Sequence, residues 1–318
     1  MDVQMVSGLA ARLRENIGRV VVGRDDAVNR LLVAVLARGH VLLEDVPGTG
    51  KTLLAKALAR SMDMGFARVQ FTPDLLPSDV TGMSVYNQQS GAFEFKPGPA
   101  FVNLLLADEI NRATPRTQSA LLECMEERQI TLDGVTRPLE EPFLVIATQN
   151  PVETQGTFPL PEAQLDRFLM RLSPGYPTTD EALAILGRFE RNDPLKELRP
   201  CAARDEVLRA QRLVPQAQVG EAVRGYIAAL CEHTRKLPDV QLGVSPRGML
   251  ALMRASQALA LVRGRAFVTP DDVRALALPV LAHRVLVRGL YERADAAENV
   301  VRAALGAVPV PTESTERA

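Results

Sequence analysis

Residues 40–60 read HVLLEDVPGTGKTLLAKALAR. The stretch begins with a short apolar run typical of a buried strand and ends with apolar residues at helical spacing. A glycine-rich turn between a strand and a helix collects free backbone N–H groups beside the positive end of the helix dipole. Because such a turn favours anions, the sequence predicts a phosphate-binding loop before the helix.

The residue types in this loop suit phosphate binding. Gly48 and Gly50 allow the torsions and the close approach that the turn requires, and Lys51 supplies a positive charge to the outer phosphates. The Thr52 hydroxyl can ligate magnesium. The strict pattern has glycine where this chain has Asp45, and the alternative interpretation is a glycine-rich turn that only caps a helix. The predicted phosphate-binding residues are Pro47, Gly48, Thr49, Gly50, Lys51 and Thr52.

A second polar element follows another apolar run. The segment VNLLLA, residues 102–107, ends in Asp108 and Glu109. Beside a phosphate-binding loop, an acid at the end of a neighbouring strand can hold the metal and the next carboxylate can polarise the attacking water. The sequence therefore predicts Asp108 as a metal partner together with Thr52, and Glu109 as the general base. The alternative is that both acids only cap the following helix.

The alternation of apolar runs and helical stretches predicts the fold class. Strands that are apolar on both faces and are separated by helices indicate an α/β fold with a parallel sheet covered on both sides. Five strands are predicted, at His40–Glu44, Ala67–Phe71, Val102–Asp108, Phe143–Gln149 and Phe168–Leu172.

The chain is predicted to divide into two domains. Residues 1–177 would form the α/β core, with hairpin insertions at about 83–100 and 129–138, because both stretches flank turn residues with alternating apolar side chains. Residues 178–307 follow a helical pattern broken by prolines, which predicts an all-helical second domain. The polar, proline-containing residues 308–318 are predicted to be disordered.

Composition narrows the function classes. The 318 residues carry 37 basic and 38 acidic side chains, no Trp and 4% aromatic residues. This balance argues against a nucleic-acid partner, which needs a basic surface and stacking platforms. Three cysteines without C-x-x-C spacing argue against a disulfide framework and a cysteine zinc site. Since no apolar run is long enough for a membrane span and the chain begins without a signal sequence, we expect a cytoplasmic protein.

Four segments carry a family resemblance. In chain order they are LLEDVPGTGKT, LLLADEINRA, IATQNPVETQGTFPLPEAQLDRF and GVSPRG. Together they resemble AAA+ ATPases, and more narrowly the MoxR family of the helix-2-insert group, over about residues 15–306. The resemblance implies a P-loop NTPase αβα sandwich with a five-stranded parallel sheet, followed by an all-helical lid domain. It also makes the first two segments the Walker A and Walker B motifs.

The resemblance implies further site residues on the nucleotide side. Val22 and Gly23, in the segment VVVGRDDAV, match the positions that contact adenine. Asn150 matches the sensor of the γ-phosphate, and its amide can both donate to phosphate and accept from water. A turn residue before Pro151 is the alternative interpretation of Asn150.

Two arginines complete the implied site. Arg167 matches the arginine finger, which reaches the γ-phosphate of a neighbouring subunit, and a planar guanidinium suits those oxygens. An ion pair of Arg167 with Asp166 or with another acid on a surface helix is the competing interpretation. Arg247 matches a second sensor that couples the lid to the nucleotide, in cis or in trans. The alternatives to Arg167 as the finger are Arg112, Arg116 and Arg171.

The function implied by the resemblance is ATP hydrolysis with Mg²⁺ in a homo-oligomeric ring, expected to be hexameric. The ring would act like a chaperone on a protein client, together with a separate chain that carries a von Willebrand factor A-type domain. A DNA-translocating motor, a chelatase-type motor and a non-hydrolysing nucleotide-dependent scaffold are the alternatives.

Overall fold

The computed structural model describes residues 2–44, 46, 48–150, 156–288 and 295–311. Pro47 and most of the tail that the sequence predicts to be disordered lie outside these ranges. The strands, numbered in chain order, are β1 (His40–Glu44), β2 (Phe66–Gln70), β3 (Gly82–Asn87), β4 (Ala92–Pro97), β5 (Leu104–Asp108), β6 (Gln129–Leu132), β7 (Val135–Pro138), β8 (Leu144–Gln149), β9 (Phe168–Leu172), β10 (Val240–Leu242) and β11 (Leu286–Val287).

The helices are numbered in the same way. They are α1 (Val3–Gly18), α2 (Asp25–Leu36), α3 (Lys51–Ser61), α4 (Pro77–Thr81), α5 (Pro115–Glu127), α6 (Glu162–Leu165), α7 (Thr179–Phe189), α8 (Pro194–Glu197), α9 (Arg204–Leu213), α10 (Glu221–Lys236), α11 (Pro246–Val262), α12 (Pro270–Leu281) and α13 (Ala296–Ala307). In the part of the chain that the structure describes, no helix is both long and apolar enough to cross a membrane.

The predicted parallel sheet is confirmed. Five strands pair in the order β2-β5-β8-β1-β9, and every pairing is parallel. Successive side chains of a strand point to opposite faces, and here each face is covered. Leu43 and Leu106 join one apolar core with α1, α2 and α3, whereas Leu42 and Leu105 join a second core with α5. The burial of apolar residues on both faces therefore stabilises the sheet between two layers of helices.

The strand ends differ from the prediction by one or two residues. Strand β2 covers Phe66–Gln70 rather than Ala67–Phe71, and β5 and β8 begin at Leu104 and Leu144. Apolar residues continue past the last ladder hydrogen bond, so hydrophobic pattern alone places strand ends imprecisely.

Two hairpins project from the sheet domain and contact each other. Strand β3 pairs with β4 and β6 pairs with β7, both antiparallel. The Ser84 hydroxyl donates to the Asp133 carboxylate at 2.5 Å, and the Arg137 guanidinium lies 4.0 Å above the Phe95 ring. At the tip, Phe93 is 74% exposed and packs edge-on against Tyr86. The hairpins thus present one joint surface with aromatic residues at its end.

The chain from α7 onward is mainly helical, and it packs on the sheet domain rather than standing apart. Buried residues of α9 to α13 belong to the same apolar core as those of α1 and α2. The all-helical prediction for this region is wrong in one detail, because β10 and β11 form a two-stranded antiparallel sheet. These strands have three and two residues, too few to produce a periodic pattern. The boundary between residues 177 and 178 stays a prediction.

Candidate functional site

The predicted phosphate-binding loop leads directly into α3. Gly48 and Gly50 have φ values of 83° and 87°, in the left-handed region that favours glycine. A Cβ atom at either glycine would have no heavy atom within 4 Å, so both face open space. Lys51 and Thr52 are half-buried in the first turn of α3, and the Lys51 ammonium donates to the Val46 carbonyl at 3.3 Å. Backbone N–H groups at this helix start and a lysine therefore lie beside unfilled space.

Asp108 ends β5 and has both carboxylate oxygens engaged. The Thr148 hydroxyl donates to Oδ1 at 2.6 Å, and the Arg68 guanidinium donates to Oδ2 at 2.6 and 3.1 Å. Thr148 is on β8 and Arg68 is on β2, the two neighbours of β5 in the sheet. The carboxylate is consequently oriented from both sides.

Glu109 occupies a strained position. Its φ and ψ of 56° and 49° are left-handed, which is uncommon for a residue other than glycine and concentrates at functional sites. Its N–H donates to the Thr148 hydroxyl at 2.8 Å. Its carboxylate accepts from the Gln70 amide at 2.7 Å and from Arg112 at 3.2 Å. One threonine therefore sets the geometry of both acids.

The loop and the acids share one edge of the sheet. The loop follows β1. Asp108 is the last residue of β5 and Glu109 follows it, and β8 lies between these strands and leads to Asn150. Two strand spacings separate β1 from β5, roughly 10 Å. The structure thus brings the ends of all three strands, with Lys51, Asp108 and Asn150, to the carboxyl edge, where parallel α/β sheets bind ligands.

An apolar cavity of about 150 Å³ adjoins the loop. Its walls come from the segment after α1, from the prolines after β9, and from Ile185 and Phe189 of α7. Of the two residues predicted to contact adenine, Val22 lines the cavity and Gly23 does not. Gly23 instead forms a turn with a φ of 67°, where the Glu181 side chain packs against it. A second cavity, of about 440 Å³, lies at the other end of α3 and is lined by none of the predicted site residues.

Arg167 lies between α6 and β9, and its guanidinium has no hydrogen-bond or ion-pair partner among the described residues, although its backbone N–H donates to the Gln164 carbonyl at 3.2 Å. The competing interpretation is an ion pair with Asp166 or another acid. No such pair is present among the described residues, and Asp166 instead pairs with Arg284 at 2.7 Å. Two of the rival arginines are engaged within the chain: Arg112 pairs with Glu109, and Arg171 pairs with Glu44 at 3.3 Å. Arg116 is exposed at the start of α5.

Arg247 is the second residue of α11 and pairs with Glu126, near the end of α5, at 2.6 Å. It does not line the apolar cavity beside the loop. Within one chain, the structure therefore places Arg247 apart from the other predicted nucleotide contacts.

Sequence reasoning missed three residues that orient the acids: Arg68, Gln70 and Thr148. Thr148 carried a detectable signal, since it is a polar residue within an apolar run and is fully buried. Buried polar groups need partners, so a search for polar residues inside predicted strands would have found it. Arg68 and Gln70 lie on the edge strand β2, where polar residues are ordinary, and carried no such signal.

The residues present fit a magnesium nucleotide. Thr52 and Asp108 offer hydroxyl and carboxylate oxygens, which are the donors that Mg²⁺ prefers. The open space at Gly48 and Gly50 leaves room for phosphate oxygens against the backbone. The neighbouring cavity offers apolar walls that suit a flat ring.

The sequence matches two family models and is similar to several known proteins. Residues 40–170 match the model of the ATPase family associated with various cellular activities, and residues 232–303 match an AAA lid domain. An uncharacterized protein of Bacillus subtilis, YeaC, is 50% identical over 307 residues, 96% of each chain. Chaperone MoxR1 of Mycobacterium tuberculosis is 42% identical over 88% of this chain and 78% of its own length.

A solved structure extends the likeness to three dimensions. It is a crystal structure of a protein from Cytophaga hutchinsonii that is provisionally named an ATPase. The two chains are 37% identical and superpose with a TM-score of 0.89 over 98% of this chain and 97% of the other. At this identity and coverage the likeness includes both the sheet domain and the helical region.

Proposed function

The chain belongs to the MoxR family of AAA+ ATPases, and from that premise we propose that it binds ATP with Mg²⁺ at the loop before α3 and hydrolyses it. The observation that carries the proposal is the arrangement of Asp108 and Glu109. Both acids are held by Thr148 at the same sheet edge as the loop. Such an arrangement of loop and acids is what phosphoryl transfer to water requires.

Each residue has a role in this proposal. The N–H groups of the loop and the Lys51 ammonium hold the outer phosphates. Thr52 and Asp108 hold Mg²⁺, which when bound supplies positive charge to the phosphate oxygens. Glu109 accepts a proton from the attacking water, and Asn150 helps to orient that water.

The site would be completed by a neighbouring copy of the chain. In this proposal Arg167 extends to the γ-phosphate bound by the next subunit of a hexameric ring. Support comes from the guanidinium of Arg167, which has no partner among the described residues, whereas those of Arg112 and Arg171 are paired within the chain. Arg247 is proposed to act in trans as well, since it lies away from the cavity of its own chain.

The output is proposed to be the remodelling of a protein client. The two joined hairpins offer an exposed aromatic end, formed by Tyr86 and Phe93, that suits contact with apolar groups of another protein. MoxR1 is named a chaperone, which agrees with this proposal. A chain carrying a von Willebrand factor A-type domain is the expected partner.

Two substitutions test the proposed ATPase. Glu109→Gln should leave ATP binding unchanged while kcat falls about 1000-fold, because the amide cannot accept the proton. Lys51→Ala should weaken ATP binding at least about tenfold, because a charge on the outer phosphates is lost. The measurements are calorimetric ATP binding and phosphate release under saturating ATP.

Matched controls are Glu123→Gln and Lys56→Ala, which make the same changes at exposed positions of α5 and α3. Both controls should behave like the wild-type protein. Normal turnover by Glu109→Gln would disprove the assignment of the base, and unchanged ATP binding by Lys51→Ala would disprove the assignment of the loop.

A further inference from the structure

Arg284 is a buried cation that forms hydrogen bonds to the residues on both sides of Arg167. It ends a short 3₁₀ turn, Ala282–Arg284, after α12 and is 6% exposed. Its Nε donates to Asp166 Oδ1 at 2.7 Å, and its Nη2 donates to the Asp166 carbonyl at 3.0 Å and to the Phe168 carbonyl at 2.7 Å. A residue from the helical region therefore holds the backbone on both sides of Arg167.

The GVSPRG segment completes this arrangement. The Ser245 hydroxyl donates to Asp166 Oδ2 at 3.3 Å and accepts from the Gly248 N–H at 3.1 Å, which caps α11. A Cβ atom on Gly248 would lie 2.7 Å from Arg284 Cδ, so only glycine leaves space for the arginine side chain there. We call Asp166, Arg167, Ser245, Gly248 and Arg284 the arginine socket.

Burying the charged side chain of Arg284 has an unfavourable desolvation free energy, so its retention suggests a role other than stability. Burial lowers the pKa of the Arg284 guanidinium, and the Asp166 carboxylate opposes that shift. A buried ion pair contributes little net stability compared with apolar residues of the same size, but its fixed donors specify geometry. Here the specified geometry is that of the segment 166–168, which carries Arg167.

We propose that Arg284 is a positioning residue for Arg167, so that the helical region sets where the Arg167 guanidinium points in the neighbouring subunit. The inference rests on the proposed function, because the role of Arg167 in trans belongs to it. The Arg284 contacts connect the helical region to the finger. A shift of α12 and of the turn after it would move Asp166 and Phe168, and Arg167 would move with them. Arg284 itself does not touch the nucleotide in this proposal.

The test uses mixed assemblies of two differently tagged forms, co-expressed and purified through both tags. Lys51→Ala subunits act only as donors of Arg167, and Arg167→Ala subunits act only as acceptors, so ATP turnover reports sites that combine the two. Arg284→Lys is then placed in the donor or in the acceptor. Lysine keeps the positive charge but, with one nitrogen, cannot reach the carboxylate and both carbonyls.

Arg284→Lys in the donor should lower kcat at least about tenfold, because small displacements of a catalytic group are expensive. The same change in the acceptor should lower kcat less than about twofold, since the acceptor supplies no arginine. ATP affinity should stay the same in both cases. A purely structural role would lower activity equally in either position, so this asymmetry separates positioning from stability.

Arg265→Lys in the donor is the matched control. Arg265 also lies in the helical region and holds a buried carboxylate, Asp272, at 2.6 Å, but it does not contact the segment that carries Arg167. It should leave kcat unchanged. If Arg284→Lys does not fold, Gly248→Ala should give the same asymmetry, because its added methyl group displaces the Arg284 side chain.

Equal losses in donor and acceptor, or no loss in the donor, would overturn the role of Arg284 while leaving the shared site intact. A failure of the Lys51→Ala and Arg167→Ala parents to complement each other would contradict the shared site itself, and the Arg284 inference with it.

Discussion

The nucleotide side of the proposed site and the arginine socket are built in different ways. The nucleotide side collects the ends of three adjacent strands, and most of its residues belong to two continuous segments, 46–52 and 108–109. The arginine socket joins residues that are 79 and 118 positions apart in the chain. The nucleotide side is formed mostly by residues that are close in the sequence. The arginine socket forms only when the helical region packs against the sheet domain.

The two sides also differ in burial. Lys51 and Thr52 are half-buried and open to a ligand, whereas the guanidinium of Arg284 is enclosed and bonded to protein groups. A site that receives substrate must keep some polar groups available, while a device that only sets geometry can satisfy all of its own. The difference agrees with the proposal that the nucleotide side performs the chemistry and that the socket sets the direction of Arg167.

Of the substitutions considered below, Arg167→Ala should have the largest effect on ATP turnover. We expect kcat to fall about 1000-fold, as for other arginine fingers, while ATP affinity changes less than about twofold. Stopped-flow phosphate release and nucleotide titration measure the two quantities. Arg116→Ala, at an exposed position of α5, is the control and should turn over normally. A larger loss for Arg116→Ala or Arg171→Ala would place the finger elsewhere and break the comparison.

The same contrast explains what the sequence could predict. The α/β fold and the parallel sheet are carried by contiguous patterns, so residue types and spacing were sufficient to predict them. The position of the glycine-rich loop before α3 could be predicted in the same way. Arg167 emerged only from the family resemblance, and Arg284 did not emerge at all, because no local pattern links it to Asp166. Strands β10 and β11 were missed because they are too short to show alternation.

Acid should lower the free energy of unfolding, because the sheet domain and the helical region each contain a buried neutral histidine. His40, at the start of β1, accepts from the Val145 N–H and contacts the Met125 carbonyl, and burial lowers its pKa from 6.5 to about 3. Burial and the nearby Arg284 also lower the pKa of His283. Because the unfolded chain binds these protons first, the stability is complete above pH 6.5 and is lost as the pH falls.

From pH 7.5 to 5.5, His40 alone should lower the free energy of unfolding by about 1.4 kcal/mol. Urea unfolding at the two pH values measures this difference. His40→Gln, which keeps one donor and one acceptor, should remove that part of the pH dependence, and His283→Gln should remove a further part. The variant that removes more of the pH dependence identifies the histidine whose protonation destabilises the protein more. An unchanged pH dependence in both variants would contradict the argument from burial.

The smallest effect concerns Arg68, which occupies an oxygen of Asp108 that Mg²⁺ would otherwise attract. The pair is partly exposed, with the two side chains 46% and 11% accessible, so its free energy is modest. Arg68→Met should therefore lower the Mg²⁺ concentration for half-maximal ATPase activity about threefold, equivalent to about 0.6 kcal/mol. Arg302→Met breaks an exposed pair with Glu298 and should leave that concentration unchanged. A higher Mg²⁺ requirement in Arg68→Met would mean that the orientation of Asp108 by Arg68 helps metal binding more than competition for the oxygen hinders it, which would make positioning by an arginine a feature of both sides of the site.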